Sequence, residues 1–239
     1  SYGIGRKTKS GRDAFVGAVV ITEFLLSLLL LKNGQDGMIV SLPGVCGMGL
    51  HFTANGFRAV YAVIASFMWM VTGLFSPEYF AHYRNRNRYY LFQLLTLGAT
   101  VAIFLSADLY TTFVFFEIMS LASYPWVVHD ENEGAMKAGK TYLAIAVFGG
   151  MVTLMGLFLL NRQLGTLRID ELYEASRPLA GSGALWAAGL LTLVGFAAKA
   201  GLFPLHIWLP KAHPVAPAPA SALLSGILTK SGVFGLIVI

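Results

Sequence analysis

Long apolar stretches separated by short polar segments dominate the chain. Seven of these stretches are 18 to 22 residues long and carry at most one charged residue each. About 20 apolar residues cross a bilayer as a helix, so each stretch predicts a transmembrane helix. They cover residues 14–31, 57–75, 89–107, 109–128, 141–160, 184–205 and 218–239.

Two places in this pattern predict specific geometry. Only Asp108 separates the third stretch from the fourth, so these two helices are expected to be antiparallel neighbours. The sixth stretch contains Lys199, Gly201 and Pro204. Proline removes a backbone donor and clashes with the preceding turn, while glycine loosens it, so this helix is predicted to be broken, within about residues 184–210.

The composition supports this interpretation. Hydrophobic residues make up 56% of the 239 residues, charged residues only 12%, and the mean hydropathy is +0.67. Soluble domains carry about 25% charged residues. We therefore predict an all-α integral membrane protein, a polytopic bundle of about seven transmembrane helices embedded in the lipid bilayer.

The net charge of +5 comes from basic residues that concentrate between the apolar stretches. Cytoplasmic loops are enriched in lysine and arginine, and ten such residues on one side against five on the other place residue 1 in the cytoplasm. We expect the membrane to be the cell inner (plasma) membrane. No basic–aromatic motif for nucleic acid is present. The ten are Arg6, Lys7, Lys9, Arg12, Arg84, Arg86, Arg88, Lys137, Lys140 and Lys211, and the five are Lys32, Arg58, Arg162, Arg168 and Arg177.

Several other features limit the possible chemistry. Cys46 is the only cysteine, which excludes a disulfide within the chain and a cysteine-based metal cluster. No pair of histidines has metal-ligand spacing and no phosphate-binding glycine loop follows a strand, so no cofactor and no metal are predicted. Turn residues and short alternating pieces between the first two stretches predict a small hairpin. The chain starts without methionine and ends inside an apolar run, so we expect a piece of a longer protein.

Ionisable residues inside the predicted helices are the candidate functional residues, because a charge near the bilayer centre is costly and faces the bundle interior. Glu117 lies nine residues beyond Asp108, about 13–14 Å deep at the helical rise. Lys199 adjoins the helix break, and Lys230 lies in the last stretch. The alternatives are a Glu117 that only holds helices together, a Lys199 that reaches to the membrane surface, and a Lys230 in a structural ion pair.

Three further residues are weaker candidates. His206 follows the break and His213 lies in the next link, and histidine titrates near physiological pH, so both are secondary candidates for a proton relay. His213 could equally be a wetted surface residue. Glu23, in the first stretch, is interpreted as a polar contact between helices rather than a transport residue.

Four segments resemble the antiporter-like proton-translocating subunits. This family includes large membrane subunits of respiratory complex I, of membrane-bound hydrogenases and formate hydrogenlyases, and of multi-subunit cation/proton antiporters. The resemblance covers the chain loosely and residues 85–239 closely. The segments are "FFEIMSLASY" at 115–124, "AMKAGKTYL" at 135–143, "LNRQLGTLRIDEL" at 160–172 and "GFAAKAGLFPLHIWLPKAHPVAPAPASALLSGILTKSG" at 195–232.

The resemblance implies about fourteen helices with two inverted five-helix repeats, of which this chain would supply helices two to eight. It divides the chain into a cytoplasmic basic segment (1–13), two leading helices with a periplasmic loop (14–75) and one five-helix proton-channel repeat (76–239). Glu117, Lys199 and Lys230 would match the family's glutamate and two lysines. Lys211, where many relatives carry an acid, and Ser225, where some carry histidine, depart from the family pattern.

The resemblance also implies a function. Protons would pass through a buried relay of Glu117, Lys199 and Lys230, coupled to redox chemistry in partner membrane subunits of a complex I-like or hydrogenase-like assembly. Three alternatives stay open: sodium/proton exchange in a multi-subunit antiporter, a scaffold that only anchors a peripheral enzyme, and the family's carbon-uptake branch with a zinc-binding partner.

Overall fold

A computed structural model describes residues 3, 8–34, 38–45, 47–83 and 85–239. Outside these residues lie four that the sequence predictions used: Arg6, Lys7 and Arg84 for the orientation, and Cys46 for the absence of a disulfide. The long helices are α1 (Lys9–Asn33), α2 (Gly56–Tyr79), α3 (Arg86–Leu105), α4 (Leu109–Val127), α5 (Glu133–Leu164) and α7 (Gly183–Ala200). The shorter helices are α6 (Leu172–Ser176), α8 (Trp208–Ala212), α9 (Ala218–Leu223) and α10 (Thr229–Val238).

Within the described part of the chain, six stretches of helix are long and apolar enough to cross a membrane: Lys9–Asn33, Gly56–Tyr79, Arg86–Leu105, Glu133–Leu164, Gly183–Ala212 and Ala218–Val238. The fourth predicted span is also a helix, α4, whose 19 residues would suffice, but its mean hydropathy is lower than that of these six stretches. The all-α membrane fold is therefore confirmed.

Helix starts follow from the polar residues that precede them. Asp108 accepts a hydrogen bond from the backbone N–H of Thr111 at 2.7 Å, and Asn132 accepts one from Ala135 at 2.8 Å. Such caps satisfy N–H groups that have no partner within the helix. The Asp108 cap starts α4 only three residues after α3 ends, and the two helices pack side by side as predicted.

Several helix boundaries differ from the predicted ones, and three of these differences bear on the predictions. Helix α1 begins at Lys9, so part of the predicted basic segment 1–13 is helical. Helix α2 continues to Tyr79, beyond the predicted boundary at residue 75. Helix α5 begins at Glu133 rather than Thr141 because Asn132 caps it and Glu133 pairs with Lys137 at 2.6 Å, one turn later. Lys137 and Lys140 therefore lie in the first turns of a helix, not in a loop.

A two-stranded hairpin joins α1 and α2, as predicted. Strand β1 (Met38–Leu42) pairs antiparallel with β2 (Leu50–Ala54). The backbone N–H of His51 donates to Thr111 Oγ1 at 3.0 Å, and Ala107 N–H donates to the His51 carbonyl at 2.8 Å. These bonds fix the hairpin against the α3–α4 turn.

Candidate functional site

Lys199 is buried at the end of α7, with 4% of its surface exposed. Its Nζ atom donates a hydrogen bond to the Tyr142 hydroxyl at 2.7 Å. The same nitrogen lies 4.8 Å from the centre of the Tyr142 ring and 5.7 Å from that of Trp208. An ammonium group so placed is stabilised by aromatic faces and by one neutral oxygen, and no carboxylate of the described residues pairs with it.

Tyr142 connects this lysine to α4. Its hydroxyl lies 2.6 Å from Ser123 Oγ and donates to the Ser120 carbonyl at 3.2 Å. Ser123 has a single hydroxyl proton, which it can donate either to the Tyr142 hydroxyl or to the Met119 carbonyl at 2.7 Å. Hydroxyl groups both donate and accept, so α7, α5 and α4 are joined by a continuous hydrogen-bonded chain that starts at Lys199.

The helix break lies directly after Lys199, at the residues that the sequence indicated. Helix α7 ends at Ala200, and Gly201 adopts a left-handed conformation with φ of 76°, which a residue with a Cβ adopts at a cost. Pro204 precedes the short 3₁₀ turn Leu205–Ile207, after which α8 begins. Trp208 Nε1 donates to the Ala198 carbonyl at 2.8 Å, which holds the second half of the broken helix against the first.

Glycines bring α5 and α7 into the most extensive helix contact of the described chain. A Cβ added at Gly195 would lie 1.7 Å from Thr153 Oγ1, and one added at Gly149 would lie 3.0 Å from the Ala198 Cβ. Beside this contact lies a cavity of about 10 Å³, lined by residues that include Lys199, Tyr142, Trp208 and Ser120. That volume is at the lower limit for one water molecule, and the lining offers polar partners.

Glu117 is half-buried on α4. It packs against α5 so closely that a Cβ at Gly150 would lie 2.5 Å from Glu117 Oε1. This oxygen is buried and has no hydrogen-bond partner among the described residues. Lys199 acts on Glu117 electrostatically, but no ion pair joins the two in the described part of the chain.

The side chain of Lys230 is exposed, which differs from the expectation that Lys230 is buried together with Glu117 and Lys199. Ser231, Gly232, Phe234 and Gly235 form the buried stripe of α10, so helical geometry turns residue 230 away from the core. Gly232 packs against Ala200, which places Lys230 on a helix next to that of Lys199. The two side chains nevertheless have separate partners.

The partners of Lys230 come from an irregular turn. Residues Leu224–Leu228 form a π-helical turn, in which the Thr229 N–H bonds the Leu224 carbonyl five residues back. The Ser225 carbonyl instead accepts Thr229 Oγ1 at 2.8 Å and Lys230 Nζ at 3.0 Å. Such turns are frequent at functional sites, and hydropathy patterning gave no indication of this one.

The remaining predicted residues lie apart from this network. His206 is half-buried in the 3₁₀ turn, with Nδ1 unpartnered among the described residues and its ring 5.7 Å from that of Phe203. His213 is exposed, and its Nδ1 lies 2.5 Å from Ser221 Oγ. Glu23, half-buried on α1, forms no hydrogen bond or ion pair with another residue that the structure describes.

These features agree with a comparison against known protein families. The family model for the transmembrane region of NADH:quinone oxidoreductase and Mrp antiporter subunits matches residues 106–239, more than half of the chain. The chain belongs to this family. It is a multi-pass, antiporter-like membrane subunit.

Individual members of the NADH:quinone oxidoreductase/Mrp antiporter family show the same relationship. A Na⁺/H⁺ antiporter subunit of Alkalihalophilus pseudofirmus is 30% identical over 223 residues, covering 92% of this chain and 45% of that protein. Hydrogenase-4 component B of Escherichia coli is 34% identical over 191 residues, covering 79% of this chain and 28% of that protein. The chain thus spans less than half the length of these curated relatives.

Two solved structures share the fold. A chain of an archaeal respiratory complex, the membrane-bound sulfane sulfur reductase, superposes with a TM-score of 0.89 at 21% identity, covering 98% of this chain and 49% of that one. A chain of the Mrp complex from a Dietzia species superposes with a TM-score of 0.78 at 24% identity, covering 95% of this chain and 43% of that one.

The family resemblance in the sequence did not identify Tyr142 or Ser123. Both lie within matched motifs, "AMKAGKTYL" and "FFEIMSLASY", but are polar residues of ordinary membrane helices. The only signal in the sequence was a residue with a hydroxyl group on each of two neighbouring spans. The packing of α4, α5 and α7 brings both hydroxyls into the hydrogen-bonded chain that starts at Lys199.

Proposed function

We propose that this chain translocates protons through its membrane bundle, with Lys199 as the central proton carrier. The observation that carries the proposal is that Lys199 is 4% exposed, adjoins a helix break, and bonds a tyrosine hydroxyl at 2.7 Å. Burial disfavours the charged form of an amine. A hydroxyl can accept from an ammonium or donate to a neutral amine, so Tyr142 keeps a hydrogen bond with Lys199 in either protonation state.

Glu117 supplies the charge that shifts this balance. When its carboxylate approaches Lys199 it stabilises the ammonium form, and when it withdraws that stabilisation is lost and the proton moves on. The free Oε1 and the absence of an ion pair among the described residues are consistent with the withdrawn arrangement. Position 150 of α5 is a glycine, where an added Cβ would lie 2.5 Å from Glu117 Oε1, so no side chain at this position restricts Glu117.

Lys230, with His206 and His213 as secondary groups, forms the branch of the route nearer to water. Because Lys230 is exposed at a depth where lipid would surround it, the proposal requires another polypeptide segment or subunit on that face of α10. In the assembled protein, residues 76–239 act as the proton-conducting unit and residue 1 lies on the cytoplasmic side of the inner membrane.

Redox chemistry in partner subunits drives this transport. The support is the similarity to Hydrogenase-4 component B and to a chain of a respiratory membrane complex. This chain itself holds no cofactor in the proposal.

The test is turnover-coupled proton pumping by the full-length protein in its complex, reconstituted in lipid vesicles. Glu117→Gln and Lys199→Ala are each expected to abolish pumping while the complex still assembles. Glu78→Gln and Lys140→Ala are matched controls, since both replace exposed charges on spanning helices. Normal pumping by either site variant would end the proposal, and normal pumping by both would favour the scaffold alternative.

Sodium/proton exchange is the second candidate function. It is favoured by the 30% identity to a protein named as a Na⁺/H⁺ antiporter subunit. The same vesicles separate the two candidates, because exchange makes the internal pH follow an imposed sodium gradient without turnover, whereas proton pumping does not.

A further inference from the structure

A basic cavity of about 730 Å³ lies where the first turns of α1 and α3 meet. Arg12, on α1, is 2% exposed and donates from Nη1 to Asn87 Oδ1 on α3 at 2.7 Å, which ties the two helix starts together. We propose that this cavity binds the phosphate headgroup of an acidic phospholipid.

The charges around the cavity are unbalanced. Among the residues that the structure describes, its lining contains Lys9, Arg12, His82, Arg86 and Arg88 and no acidic side chain. Arg12 is paired with Asp13 at 2.6 Å and Arg88 with Glu131, both from outside the lining.

The other two strong cations are not neutralised. Neither Lys9 nor Arg86 forms an ion pair with any residue that the structure describes, and Arg86 donates only to the Ala81 carbonyl. An anion in the cavity would balance these two charges.

The two helix starts add to the positive potential. The N-terminus of a helix carries a partial positive charge that acidic side chains usually balance. Neither the first turn of α1 nor that of α3 contains an acidic residue, and neither Thr8 nor Asn85 caps its helix with a side-chain hydrogen bond. The cations therefore stand where helices normally place anions, and both starts face one cavity.

The apolar part of the lining favours a lipid over a free phosphate ion. Leu91 and Phe92 lie one turn further along α3, inside the spanning segment, and contribute to the same cavity. Because α1 and α3 both begin a span here, the cavity lies at the level of the lipid headgroups. A ligand with an anionic head and an apolar tail matches this lining, and basic pockets between spanning helices are suited to such headgroups.

The test uses the full-length protein in its complex, in neutral detergent, titrated with phosphatidylglycerol while bound lipids are counted by native mass spectrometry. Each cation near the membrane surface contributes roughly fivefold to the affinity for an anionic lipid. Lys9→Gln or Arg86→Gln should therefore weaken binding about fivefold, and the double variant about 30-fold. Lys140→Gln, an exposed lysine outside the cavity, is the matched control and should bind as the unaltered protein does.

Three further measurements distinguish a lipid headgroup from a free phosphate ion, and weakened binding from misfolding. Phosphatidylcholine should not saturate the site, and inorganic phosphate at about 10 mM should not displace phosphatidylglycerol. Thermal melting in phosphatidylcholine should be the same for all variants, which separates weakened binding from misfolding. Unchanged phosphatidylglycerol binding by the double variant, displacement by phosphate, or occupancy by an acidic protein segment instead of lipid would each overturn the proposal.

Discussion

Lys199 and Lys230 lie on neighbouring membrane helices, yet their surroundings are opposite. Lys199 is enclosed by α5 and α8, with a tyrosine hydroxyl and two aromatic rings as partners. Lys230 is exposed on α10 and donates to the Ser225 carbonyl, which a π-helical turn has released, and more weakly to Thr229 Oγ1 at 3.3 Å. In the described chain, ion pairs with carboxylates occur at helix ends and in loops, and neither of these two lysines has one.

The difference suits the two lysines to different roles in the proposed relay. A buried amine whose partner is a hydroxyl can gain or lose a proton without losing its hydrogen bond. Both partners of Lys230 accept from it, because the Thr229 hydroxyl already donates its own proton to the Ser225 carbonyl. In the proposed relay, Lys199 therefore exchanges the proton, whereas Lys230 belongs to the branch nearer to water.

The largest effect is expected from filling the α5–α7 contact that encloses Lys199. Gly195→Ala places a methyl group 1.7 Å from Thr153 Oγ1 and 2.6 Å from the Gly149 carbonyl, so the helices must separate. We expect a loss of about 3 kcal/mol in the free energy of unfolding, the upper end for overpacking. Titration with a denaturing detergent measures it.

Gly189→Ala is the matched control on the same helix, since nothing lies within 4 Å of its added Cβ. It should be neutral or stabilise by up to about 1 kcal/mol, because alanine is the better helix former. Equal stability of the two variants would contradict the view that close packing sets the Lys199 environment.

The next effect is expected from removing the hydroxyl that holds Lys199. Tyr142→Phe keeps the ring but leaves a buried ammonium without its hydrogen bond, which costs about 2 kcal/mol. The same variant should slow proton transport in vesicles. Tyr61→Phe is the control, since that hydroxyl bonds no other described residue, and transport by Tyr142→Phe at the control rate would remove Tyr142 from the relay.

A smaller effect is expected at Lys230. Thr229→Val removes the hydrogen bond from Thr229 Oγ1 to the Ser225 carbonyl and the one that Thr229 Oγ1 accepts from Lys230 Nζ at 3.3 Å, but Lys230 still bonds the carbonyl at 3.0 Å. The bond from Lys230 to Thr229 is long and the lysine is exposed, so its loss adds little. We expect a loss of about 1 kcal/mol, the usual net value of one hydrogen bond, in the same detergent titration. A loss larger than that of Tyr142→Phe would reverse the comparison between the two lysines.

The smallest effect is expected where a cation does have carboxylate partners, outside the membrane. The hydrogen bond from Arg168 lowers the pKa of Asp170 below its usual range. A carboxyl group whose pKa is lower in the folded than in the unfolded state stabilises the fold at pH values above its unfolded pKa of about 3.9. This contribution is lost as the pH falls through the pKa of the folded state.

Arg168→Gln should therefore reduce stability by less than about 1 kcal/mol at neutral pH, since the pair is exposed, and should flatten the fall in stability below about pH 4. Melting curves from pH 3 to 7 measure both quantities. An acid dependence as steep as that of the unaltered protein would show that Asp170 is not held by Arg168.

The sequence by itself determined the membrane-spanning helices, their order, the helix break and the charged residues inside the spans. These are local properties, because about 20 apolar residues need a helix in lipid, and Gly201 and Pro204 interrupt one wherever it packs. Only the tertiary structure decided that Tyr142 holds Lys199, that Glu117 stands apart from it and that Lys230 is exposed. Those outcomes depend on how each helix is rotated about its axis and how closely glycines far apart in the chain let helices approach, which no single stretch of sequence specifies.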